Sequence, residues 1–124
     1  GYDISQLKNK FDKYNYIINH NKYSNNYNYQ KTIKIMNNEV FTDCDYFLMS
    51  QSKEINPPIS VIYYDYYDDI SQVCDLIKEK INQIQCIVTN LQMNNSIRFG
   101  EAQDPKLDQY ADNSDTINFL LTSS

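Results

Sequence analysis

The fold turns on residues 59–89, ISVIYYDYYDDISQVCDLIKEKINQIQCIVT. Residues 59–64 carry β-branched and aromatic side chains at alternate and adjacent positions alike, the pattern of an internal strand. Asp68 and Asp69 then offer an N-cap, with Gln72 in position for a capping box. Ile70, Val73, Cys74, Ile77 and Ile81 recur at spacings of three and four, so residues 69–82 read as a helix with one apolar stripe. Residues 84–89 (IQCIVT) read as a second buried strand. Strand 59–64, helix 69–82 and strand 84–89 together make a βαβ unit, which predicts parallel pairing through a right-handed crossover.

Working outward, two helices precede this unit. Ile4, Leu7, Phe11, Tyr14 and Ile18 fall on one face of a helix over residues 4–18, capped by Asp3 or Ser5 and ended at Asn19-His20-Asn21. After the biased stretch KYSNNYNY (22–29), a second helix is expected from about residue 27 to 36, with Tyr29, Ile33 and Met36 on its buried side. Asn37-Asn38 reads as a turn. Residues 39–50 suggest two short strands around Asp43-Cys44-Asp45, residues 46–49 being the firmer one. The polar loop 51–58 ends in Asn56-Pro57-Pro58, and two consecutive prolines exclude helix there. Beyond the unit, Phe99-Gly100 meets a turn that needs glycine's freedom, and Asp104-Pro105 starts another. Asp115 caps a last short helix or precedes a terminal strand, with Ile117, Phe119, Leu120 and Leu121 expected to be buried. There is no internal repeat. The fold class is α/β, with residues 1–124 as a single domain or as a fragment of a larger one.

Composition narrows the functions. The chain has 124 residues, a net charge of −5 and two glycines. Phosphate-binding loops of the GxGxxG or GxxxxGK[ST] type need several glycines close together and are excluded within this stretch. Asn, Ile, Lys and Tyr replace Gly, Ala and Arg throughout. The acidic balance and the single Arg98 argue against nucleic acid, and no apolar run is long enough to span a membrane. Mean hydropathy is low at −0.65, yet the richness in Tyr and Ile is unlike a disordered chain. Three widely spaced cysteines, Cys44, Cys74 and Cys86, suit free thiols in a reducing cytoplasm.

Candidate chemistry is sparse. Cys86 and Cys74 fall in apolar patterns and read as core filler. Cys44 lies between Asp43 and Asp45, which should raise its pKa and disfavour a nucleophile. His20 is the sole histidine and reads as a helix-end residue. Tyr63 to Asp69 (YYDYYDD) reads as a strand end and helix cap ahead of a metal or sugar site. Asp108, Asp112 and Asp115 lack EF-hand spacing. No catalytic residue and no metal ligand is assigned.

Three stretches resemble a known family. QIQCIV (83–88), followed by FGEAQDPKL (99–107) and YADNSDTINFLL (110–121), is similar to the carboxyl-terminal end of bacterial long-chain acyl-CoA reductases of the bioluminescence type. HNKYSNNYNY and PPISVIYYDYYDD fall in the order that family has. The resemblance implies part of an aldehyde-dehydrogenase-like catalytic domain. It implies an enzyme that reduces fatty acyl-CoA to a long-chain aldehyde with NADPH, through a thioester on a cysteine upstream of residue 1. In that superfamily a Glu-x-Phe-Gly-Pro segment holds the nicotinamide-side ribose. Glu54-Ile55-Asn56-Pro57-Pro58 stands in its place, so Glu54 is the cofactor-binding residue the resemblance implies, with Asn56 and Pro57 where the motif has Phe and Gly. Such a piece should expose apolar surface and self-associate or contact the missing amino-terminal part. The rival reading is a free-standing, non-enzymatic interaction module.

Overall fold

In the computed structural model, residues 5–93, 96–104 and 116–122 are described. They are both helical and stranded, in keeping with a mixed α/β class. The chain divides into two compact units, residues 1–69 and 70–124. The division falls inside the stretch expected to form one βαβ unit.

The first unit opens with α1, Ser5–Phe11, which continues as a 3-10 helix over Asp12–Asn19. One continuous helix was expected to residue 18. Its second half is Tyr-Asn-Tyr-Ile-Ile-Asn, whose aromatic, β-branched and Asn side chains are poor helix formers. Extended backbone at His20 separates this stretch from α2, Asn21–Met36. The KYSNNYNY stretch is therefore helical. Burial of Tyr27 outweighs its weak helix propensity, and Asn26 Nδ2 donates back to the Lys22 carbonyl at 2.8 Å. The buried side of α2 is Tyr27 and Lys34, not Tyr29 and Met36, which are exposed.

The end of α2 is a Schellman turn. Asn38 takes φ +55°, its N–H donates to Ile35, and the Glu39 N–H donates to the Lys34 carbonyl at 2.9 Å. The expected Asn37-Asn38 turn forms, and Asn38 fills in it the left-handed position usually given to glycine. The turn also brings Glu39 back alongside Lys34.

Three strands follow: β1, Thr42–Asp43; β2, Leu48–Gln51; and β3, Val61–Tyr64. Their order is β1-β2-β3, with β1 antiparallel and β3 parallel to β2. Between β1 and β2, the Asp45 N–H donates to Asp43 Oδ1 at 2.9 Å and Asp45 takes φ +70°, an Asx turn. Loop 52–60 joins the parallel pair and closes in a turn in which the Val61 N–H reaches the Pro58 carbonyl at 3.0 Å.

The internal strand is thus β2, whose Leu48, Met49 and Ser50 are all buried, while β3 is an edge of the sheet among the described residues. The register pairs Leu48 with Val61 and Ser50 with Tyr63, which puts these four on one face. Leu48 and Val61 cluster there with Tyr27 of α2. On the other face Met49 joins Cys44, Tyr46 and Phe47, packed by Leu7 and Phe11 from the α1 side. Phe47 lies edge-on to both Phe11 and Tyr46.

The second unit holds α3, Ile70–Lys80, a 3-10 turn at Ile81–Gln83, and the parallel pair β4, Ile87–Val88, and β5, Ser96–Ile97. The helix matches the expected 69–82 closely. The βαβ unit does not form as expected, because β3 pairs with β2 and β4 pairs with β5, in separate sheets. Strand 84–89 shrinks to two residues. Hydrophobic pattern proposes strands but does not choose their partners, and each strand here found a neighbour nearer in the chain. Phe99-Gly100 forms a turn with Gly100 at φ +92°, so the expected need for glycine is met. The helix alternative holds for the chain's end as α4, Thr116–Thr122, but Ile117, Phe119, Leu120 and Leu121 are exposed rather than buried. Asp108, Asp112, Asp115 and Pro105 lie outside the described residues.

Candidate functional site

An open groove of about 360 Å³ lies in the first unit, at the carboxyl ends of β2 and β3. That volume sits at the lower end of the range for small-molecule sites. Carboxyl ends of adjacent parallel strands are where α/β sheets place ligands, because the chain leaves the sheet there and opens a crevice. Ser50, Gln51 and Ser52 come from the end of β2, and Tyr63 and Tyr64 from β3. Lys34 reaches in from the last turn of α2, and Glu39 from the turn that follows.

The charged pair is unusual in its burial. The Lys34 side chain is only 7% exposed, and its Nζ lies 2.9 Å from Glu39 Oε2. Its ammonium also stands 5.9 Å from the centre of the Tyr63 ring, within cation–π range. Glu39 is held on its second oxygen by Asn37 Nδ2 at 3.1 Å. The hydrogen bonds from Lys34 and Asn37 hold the Glu39 carboxyl below the usual glutamate range. Ser50, also lining the groove, is buried, and its hydroxyl has no hydrogen-bond partner among the described residues. A buried hydroxyl without a partner costs on the order of 1–3 kcal/mol.

A second polar cluster ties α2 to β1. Asp43 accepts from the Tyr27 hydroxyl at 2.6 Å and pairs with Lys31 at 2.6 Å, besides its bond from the Asp45 N–H. Burial alone would raise the Asp43 carboxyl, but Lys31, Tyr27 and the Asp45 N–H outweigh it and hold it below the ordinary aspartate value. Burial and the Asp43 carboxylate push the Tyr27 phenol up. This cluster is structural in character, since its donors and acceptors satisfy one another.

The residues singled out from sequence are scattered. Glu54 is exposed on loop 52–60, where its N–H donates to Ser52 Oγ at 3.1 Å, and it does not line the groove. Cys44 is buried, and burial first, then Asp43 and Asp45, raise its thiol against the pull of Lys8. Cys74 is half-buried, whereas Cys86 is exposed and not core filler, because its expected strand does not extend to it. His20 stands between the 3-10 stretch and α2. Tyr64 and Tyr66 of the YYDYYDD run stack edge to face, and Asp65 accepts from Gln51 Nε2 at 3.0 Å.

Sequence reasoning missed Lys34, Glu39 and Ser50. One signal was present: Lys34 follows Tyr27 by seven residues and so shares its helical face. Among the described residues, no group of three or more His, Cys, Asp and Glu is placed to hold a metal ion, and no helix is long and apolar enough to cross a membrane. Comparison of the chain with family models, with curated proteins and with solved structures finds no match.

Proposed function

We propose that the first unit is a non-enzymatic binding module that takes a small molecule in the groove at the carboxyl ends of β2 and β3. The observation that carries this reading is that a buried ammonium, Lys34, and a buried hydroxyl without a partner among the described residues, Ser50, line the same groove. Functional sites commonly keep features that cost stability, and small-molecule sites set a few placed polar groups in an otherwise apolar wall. Tyr63, Tyr64 and Phe41 supply apolar wall around them. The test is a fragment screen on the isotope-labelled full chain, read by amide chemical shifts. Hits are expected to perturb Ser50, Gln51 and Tyr63 together. A screen with no hits there sinks the reading.

A second reading keeps the resemblance, in which the chain is part of an acyl-CoA reductase that uses NADPH. It rests on the quoted words of sequence, since the comparisons identify no family. The exposed apolar residues of α4 favour it, because a segment that packs against the rest of an enzyme would show them. On this reading the chain self-associates in isolation, through surface meant for the absent part. Light scattering across a dilution series checks it, and a monomer at every concentration contradicts it.

A further inference from the structure

We infer that the ligand of the groove carries a carboxylate, and that Glu39 holds its place when the groove is empty; this rests on the binding reading above. Lys34 is too buried to be left without an anion. The anion it has belongs to a side chain that is 44% exposed, on the turn after α2, and held otherwise, among the described residues, only by the Asn37 amide. Swinging Glu39 outward returns its carboxylate to water. If another carboxylate enters as it leaves, the ammonium is never unpaired and the net charge of the wall is unchanged.

A neutral ligand cannot make that exchange, and a cation would meet Lys34 directly. Ser50 lines the same groove and its hydroxyl has no partner among the described residues, so it is the donor assigned to the ligand's second carboxylate oxygen. Val40, Phe41 and Tyr63 line the same groove and suit an apolar body behind the acid. The chemical class is thus a small carboxylic acid with an apolar or aromatic body.

Benzoate and its neutral isostere benzamide test this on the full chain, by titration with amide shifts at Ser50 and Tyr63 as readout. Benzoate should bind about tenfold tighter than benzamide, the worth of one charge-assisted hydrogen bond over a neutral one. Glu39→Gln removes the internal competitor from an exposed position. It should tighten benzoate roughly threefold to tenfold, and benzamide by less. Ser50→Ala should weaken benzoate. Equal binding of the two probes, or weaker benzoate binding in Glu39→Gln, overturns the inference. If neutral fragments bind the groove and benzoate does not, the binding module stands and the carboxylate falls. If nothing binds there, both fall.

Discussion

Leu48→Ala should lower the thermal midpoint by about 8–40 °C, or leave the first unit unfolded at room temperature. Leu48 is fully buried at the start of the internal strand, against Tyr27 and Val61, with Ile18, Phe41 and Tyr63 around them. Removing such a side chain costs about 2–5 kcal/mol, the transfer energy plus the cavity left behind. A domain of this size has only roughly 5–15 kcal/mol in total and a small one lies near the bottom of that range. At about 4–8 °C per kcal/mol the shift follows directly. Val40→Ala is the control, since Val40 is 93% exposed and its truncation should stay within about 0.5 kcal/mol. Thermal melts followed by circular dichroism compare the two. A Leu48→Ala midpoint no lower than that of Val40→Ala would show that β2 is not the centre of the core.

Asp43→Asn should cost about 2–3 kcal/mol at neutral pH, because hydrogen bonds to a charged group are lost and donors are left facing a donor. The amide keeps the shape of the carboxylate but replaces one acceptor oxygen with NH₂. It therefore fails either Lys31 on one side or the Tyr27 hydroxyl and Asp45 N–H on the other. Partial exposure of Asp43 and Lys31 trims the ion-pair share of this cost.

The pH dependence has a definite sign. The folded carboxyl of Asp43 is held below its ordinary value. Its contribution is therefore complete above the unfolded pKa of about 3.9 and is lost as pH falls through the lower, folded value. Urea unfolding of the wild type and Asp43→Asn at pH 7 and again near pH 2–3 should show the gap narrowing in acid. An unchanged gap would mean that the charge of Asp43 contributes nothing.

Helices were the more legible part of the fold. Residues 69–82 were readable as α3 because Val73, Cys74 and Ile77 repeat within one segment and need no distant partner. The end of α2 was readable for the same reason, since a Schellman turn is closed by neighbours, and Asn38 accepts the left-handed backbone it requires. Strand ranking was not readable. Residues 59–64 look more β-prone than residues 48–51, yet the latter are internal, because α1 and α2 cover both faces of Leu48–Gln51. The candidate site was not readable either. Lys34 looks like a solvated helix lysine until the turn returns Glu39 to it and β3 sets Tyr63 over its ammonium.

The sequence by itself determined the mixed α/β class, the span of α3, the turns at Asn37-Asn38 and Phe99-Gly100, and the absence of any glycine-rich phosphate loop from these residues. Each of these depends on the chemistry of a few adjacent residues. Only the tertiary structure decided that β3 pairs with β2 and not with β4, that β2 is the buried strand, and that Lys34, Glu39 and Ser50 share a groove. Strand pairing and the burial of a charge are settled by which distant surfaces meet, and a local pattern of apolar residues is compatible with several such meetings.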